Sequence, residues 1–191
     1  MDFQAFCEIR FSRLPYDFGN NPFGFRNTDG SDISAHLPML AFVAKDCNHI
    51  TEFGTRECFS TAAFLSTCKG KVVSYDINRY QDIDLLQSLV SPDVWTFIQH
   101  DTGDPNLEID NTDLLFIDSL HSSEHVAKEL RHAKNVNRYI AFHDTYTTLN
   151  RPGESDINIA INDFLDKNKN WKKVYEVKFN HGLIIVEKNE I

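Results

Sequence analysis

From Lys71 onward the chain repeats one phrase: a short run rich in β-branched and aromatic residues, a polar turn, then apolar residues at helical spacing. Lys71 to Ile77 (KVVSYDI), Trp95 to His100, Asp113 to Asp118 (DLLFID) and Arg138 to His143 (RYIAFH) read as strands. Asp82 to Val90, Ser122 to Val136 and Asp156 to Asp166 read as helices, the last after a Pro152-Gly153 loop. That rhythm predicts a parallel sheet joined by right-handed crossovers. Trp171 to Phe179 and Leu183 to Glu187 then follow each other with only Asn180-His181-Gly182 between the flanking runs, which predicts an antiparallel hairpin at the end. With one further strand upstream, the expectation is an α/β doubly wound sheet of seven strands, mostly parallel.

The upstream strand lies in His49 to Ser60 (HITEFGTRECFS), the stretch around which a site is expected. Ile50, Thr51 and Phe53 favour a strand, Gly54 permits a tight turn, and Ser60 to Leu65 opens a helix. In an open α/β sheet, ligands bind outside the carboxyl ends of the strands, where a glycine turn and a helix N-terminus leave N–H groups free. Glu52 and Gly54 are therefore the first candidate site residues. A carboxylate inside a strand is costly unless paired, so Glu52 is expected to meet a ligand ammonium or a structural Arg or Lys.

The 191 residues suit one domain, with residues 1–31 as an N-terminal extension and loop and residues 32–191 as the domain proper. Met1 to Arg13 predicts a short helix. Tyr16 to Ser31 is a Gly/Asn/Pro/Asp-rich loop whose aromatics either close over a ligand or plug the core. A helix is expected from Ile33 to Ala44, capped by Ser31 or Asp32. The net charge of −9 argues against a grip on nucleic acid or anionic membrane and suits a small neutral or cationic ligand. Cys7, Cys47, Cys58 and Cys68 form no CxxC pair, and no apolar run approaches a membrane span, so a soluble cytoplasmic protein is expected, with homo-oligomerisation left open.

Four blocks stand in order at strand ends: Glu52-Phe53-Gly54-Thr55 with Ser60, Asp76, Phe116-Ile117-Asp118 with His121, and Phe142-His143-Asp144. In these blocks the chain resembles the class I S-adenosylmethionine-dependent methyltransferases, in particular the small-molecule O-methyltransferase-like branch, over roughly Ile33 to Lys188. The resemblance implies a Rossmann-like fold, S-adenosylmethionine as cofactor and O-methylation of a small hydroxylated acceptor. It further implies cofactor contacts at Glu52, Gly54, Thr55 and Ser60, ribose binding at Asp76, and an acid near the adenine at Asp101. One departure stands out: Glu57-Cys58-Phe59 occupies the place of the family's second glycine.

Asp118, His121, His143 and Asp144 follow neighbouring strands and are expected on one rim, where His143 or His121 serves as general base and an aspartate orients it. In metal-dependent relatives the matching positions, here Asp118, His143 and Asp144, hold a divalent ion. An imidazole among them suits Mg²⁺ poorly, and the expectation favours no obligatory metal. Two other readings remain. His121-Ser122-Ser123-Glu124-His125 fits the H-x-x-E-H pattern of zinc hydrolases, and a non-catalytic protein can keep the fold for binding alone.

Overall fold

The structure is a computed structural model, and it describes residues 1–12, 32–146 and 156–189. The Tyr16 to Ser31 loop, with its aromatics, and the Pro152-Gly153 turn lie outside the described residues. Seven strands form one sheet: β1 (His49–Phe53), β2 (Lys71–Asp76), β3 (Trp95–Gln99), β4 (Thr112–Ile117), β5 (Val136–His143), β6 (Trp171–Val177) and β7 (Leu183–Lys188), in the order β3-β2-β1-β4-β5-β7-β6. The first five are mutually parallel, and β7 enters antiparallel between β5 and β6. Central strands buried on both faces read as continuous apolar runs, as in Leu114 to Ile117.

The helices are α1 (Phe3–Ser12), α2 (Leu37–Ala44), α3 (Phe59–Thr67), α4 (Gln81–Leu89), α5 (Ser123–Glu129) and α6 (Asn158–Lys167). One face of the sheet packs under Phe6, Leu40, Phe64 and Leu86 from α1 to α4, the other under Val126 and Ile161 from α5 and α6. Phe6 is fully buried, so α1 contributes to the same core as the domain it precedes. No helix among the described residues is long and apolar enough to cross a membrane.

Three elements differ from expectation. Ser122 to Val136 is not one helix: α5 stops at Glu129 and a 3₁₀ segment, Leu130–Asn135, carries the chain into β5, which starts at Val136. The buried residues Leu130, Ala133 and Val136 recur every third residue, the 3₁₀ period, so that their common face stays on the core where an α-helix would rotate away. Upstream, Asp32–His36 is likewise 3₁₀, and α2 starts only at Leu37, with Pro38 in its first turn, where the missing N–H costs nothing. Between β3 and β4 there is no helix at all: the chain crosses irregularly, with Leu107 and Ile109 buried against the sheet.

Candidate active site

The strand order reverses at β1, which lies between β2 and β4, and this is where open α/β sheets form a crevice. A cavity of about 370 Å³ lies there, with Gly54, Asp76, Asp101, Asp118 and His125 on its walls. Gly54 allows the turn after β1 to pack directly against the backbone that follows β4. Its φ is +90°, its N–H donates to the Tyr75 carbonyl at 2.8 Å, and a Cβ would stand 2.1 Å from the Asp118 carbonyl oxygen.

Asp76 ends β2 and pins this turn. Its Oδ2 accepts from the N–H groups of Thr55 at 2.9 Å and Arg56 at 3.0 Å, and its Oδ1 from Asn78 N–H at 2.9 Å. With two lone pairs on each oxygen, these three backbone donors leave one on Oδ1 unused. Thr55 takes part through its backbone and, like Glu52 and Ser60, is absent from the cavity wall. Asp101 lies on the wall, its Oδ1 accepting Gly103 N–H at 2.8 Å.

Hydroxyls surround Glu52, and no Arg or Lys among the described residues pairs with it. Fully buried, it accepts hydroxyl bonds from Ser60 at 2.6 Å on Oε1, and from Thr61 at 2.7 Å and Ser74 at 2.5 Å on Oε2. Trp95 Nε1–H donates in turn to Ser74 Oγ at 2.9 Å. Burial pushes the Glu52 carboxyl up to about 7, against the lowering effect of the three hydroxyls. Neutral donors thus replace the expected charge partner, and Ser60 serves this buried carboxyl.

Asp118, His121, His143 and Asp144 do converge, at the ends of β4 and β5. His143 Nδ1 lies 3.1 Å from Asp118 Oδ1 and 3.2 Å from Asp144 Oδ2. Its Nε2 lies 3.3 Å from the Asn180 carbonyl, which His36 Nε2 also reaches at 3.0 Å. The His143 side chain is completely enclosed. His121 is partly exposed, its Nε2 2.8 Å from Asp144 Oδ2 and 3.5 Å from Asp118 Oδ1. Burial pulls His121 towards the neutral form, but the two carboxylates outweigh it and raise its pKa to about 10. Burial likewise opposes the charge on His143, and Asp118 and Asp144 hold it well above its usual value. Asp144 is held far below the ordinary carboxylate range by the two imidazoles, in spite of its burial.

The donor atoms of Asp118, His143 and Asp144 lie within 4.8 Å of one another, a spacing that admits a divalent ion. Such an ion must compete with the proton on His143 Nδ1, and the mixed nitrogen and oxygen donors suit a transition metal better than Mg²⁺. The H-x-x-E-H reading fails on geometry. His121 precedes the helix that Ser122 caps, His125 Nε2 points to Glu129 Oε1 at 3.3 Å, and Glu124 is exposed and paired with Lys128.

Sequence reasoning missed four participants. Glu129 is fully buried and accepts from Thr102 and Ser119 hydroxyls, both at 2.5 Å, beneath the cavity-lining His125; the His125/Glu129 spacing of one helical turn was its signal. His36 and His181 join the rim, His181 Nδ1 lying 3.5 Å from Asp144 Oδ1, and nothing local announced them. Arg10 reaches the turn after β1 from the N-terminal helix.

No protein-family model matches the chain, and no curated protein does. Solved structures do match. The N-methyltransferase NodS from Bradyrhizobium japonicum WM9, in complex with S-adenosyl-L-homocysteine, superposes with a TM-score of 0.67 at 12% identity over 95% of this chain and 99% of that one. Cofactor-bound Rv0187 from MTB gives 0.64 at 15% identity, covering 99% of this chain and 90% of that one. A putative caffeoyl-CoA O-methyltransferase from Staphylococcus aureus gives 0.62 at 16% identity, covering 81% and 83%. At these identities the likeness speaks for architecture, and the architecture of this chain is the fold of the class I S-adenosylmethionine-dependent methyltransferases.

Proposed function

We propose that the protein is an S-adenosylmethionine-dependent methyltransferase acting on the oxygen of a small, hydroxylated acceptor. The observation that carries this reading is one cavity, at the point where the strand order reverses, walled by the Gly54 turn, Asp76 and Asp101, with Asp118 joining it to the histidine and aspartate rim. When bound, S-adenosylmethionine supplies an activated methyl group. The Gly54 turn borders its amino-acid part, the spare lone pair of Asp76 takes a ribose hydroxyl, and Asp101 borders the adenine end.

The rim's task is to draw the proton from the acceptor hydroxyl. His121 is the rim imidazole placed to do so, being partly exposed where His143 is sealed. Asp144 and Asp118 orient its ring and stabilise the charge it gains. His143 acts as a positioning residue, its two nitrogens spanning the aspartates and the Asn180 carbonyl. No metal is required by this arrangement. A second reading, a binding protein without catalysis, draws support from one feature: at neutral pH both His121 and His143 are held protonated, so the base is scarce.

A thermal-shift series with S-adenosylhomocysteine, NAD and zinc tests the cofactor. A ligand at a hundredfold excess over Kd stabilises the fold by about 2.7 kcal/mol, so the adenosyl ligand should raise Tm and the others should not. Absence of any shift with S-adenosylhomocysteine refutes the proposal. Binding without turnover, across hydroxylated acceptors from pH 7 to 9.5, favours the non-catalytic reading.

A further inference from the structure

The turn after β1 is where the chain departs from a glycine-rich pattern, and the departure has a structural cost. Cys58 sits at φ +61° and Arg56 at φ +41°, in the left-handed region that a side chain disfavours. Cys58 precedes α3 without a side-chain cap to offset this. The compensating contact comes from outside the turn. Arg10, 6% exposed, directs Nη2 and Nε at the Glu57 carbonyl, at 3.2 and 3.4 Å, and Glu57 stands between the two left-handed residues. Its Nη2 also bonds Asp82 Oδ1 in the first turn of α4, and its guanidinium lies over the Phe6 ring, 3.7 Å from the centroid. One buried guanidinium therefore fastens the loop after β1 to the start of the helix after β2. Those segments bring Gly54 and Arg56, and Asp76 and Tyr80, to the cavity.

We propose that Arg10 is a positioning residue for the cofactor: by gripping the Glu57 carbonyl and Asp82 together it holds the β1 turn in the left-handed form that a glycine would adopt unaided. The inference rests on the methyltransferase reading for its ligand, and on the Arg10 contacts and the backbone they hold for its mechanism. The N-terminal helix is on this view part of the binding site's framework. Without the clamp the turn relaxes, the Thr55 and Arg56 amides leave Asp76, and affinity falls although the fold survives.

The test is a double-mutant cycle read by calorimetry with S-adenosylhomocysteine. Arg10→Met, which keeps the buried stem, should weaken binding about tenfold or more, and Arg10→Lys, which cannot grip both partners, by an intermediate factor. Cys58→Gly should restore most of the loss in the Arg10→Met background and change the wild-type background by no more than about threefold. A purely structural Arg10 gives the same Cys58→Gly factor in both backgrounds, or wild-type affinity in a folded Arg10→Met protein, and either result overturns the proposal. Hydrogen exchange on the ligand-free protein is the independent arm. Amides 55–60 should exchange faster in Arg10→Met while those of β4 stay unchanged; unaltered exchange at 55–60 overturns the clamp. Should the wild type fail to bind S-adenosylhomocysteine, the methyltransferase reading falls, and the exchange result still decides the clamp.

Discussion

Glu52→Gln separates the structural from the ligand-binding meaning of the buried acid. In the native state the Glu52 carboxyl titrates at about 7, against 4.5 for a free side chain. A folded pKa raised above the unfolded one means that the stability contributed by the neutral acid is complete below about 4.5 and lost as pH rises through about 7. At about 1.4 kcal/mol per pH unit, the loss amounts to about 3 kcal/mol. Glutamine mimics the neutral acid and does not titrate. Its oxygen must take the Oε2 position, because Ser74 accepts from Trp95 and, like Thr61, donates its hydroxyl there. Its amide then falls at Oε1, where the Ser60 hydroxyl can turn to accept. Urea unfolding at pH 5 and pH 8 should show the wild type losing about 2–3 kcal/mol relative to Glu52→Gln between the two conditions. S-adenosylhomocysteine affinity should stay within about threefold, since Glu52 is absent from the cavity wall. Parallel stability profiles refute the titration argument, and a large loss of affinity in the folded variant refutes the placement.

Asp76→Ala removes the proposed ribose acceptor and releases two turn amides, so calorimetry should show about ten- to a hundredfold weaker S-adenosylhomocysteine binding in a folded protein. Because His121 must lose its proton to serve as base and holds it up to about 10, turnover should climb with pH from 7 towards 10; a flat profile removes His121 from the role. His121→Ala should lower turnover by about 10²–10⁴-fold with cofactor affinity little changed, and EDTA should leave the rate as it was; recovery by Mn²⁺ after loss to EDTA reassigns Asp118, His143 and Asp144 to a metal. His132, 1% exposed with neither ring nitrogen hydrogen-bonded among the described residues, has its pKa lowered to about 4 by burial, so its share of stability is complete above about 6.5 and lost as pH falls to about 4. His132→Leu should flatten that part of the acid limb in urea titrations.

The legible part of the site was the part written at strand ends. Gly54, Asp76 and Asp118 stand at the ends of runs buried on both faces, Asp101 follows the shorter edge strand β3, and the sheet carries all four to the crevice. What escaped depends on pairs set by packing. Glu52 is satisfied by Ser60, eight residues on, and by Ser74, 22 residues on, which no local pattern distinguishes from other serines. Arg10 and Glu57 are 47 positions apart, and the left-handed backbone that makes their contact matter is invisible without coordinates. The 3₁₀ segment after α5 was misread because Leu130 and Ala133 fit helical spacing over so short a stretch.

The Asn180 carbonyl, shared by His36 and His143, bears on the order in which the site is assembled during synthesis. The cavity's walls are drawn from residues 54 to 125, and their strands can pair as soon as β4 has emerged. The rim has to wait. Its sealed imidazole lacks a second partner, and β5 lacks its antiparallel neighbour, until the hairpin turn at residues 180–182 has been made and folded back. On the proposed methyltransferase reading, the residues that line the cofactor's cradle are therefore all synthesised before the hairpin that completes the surroundings of the rim.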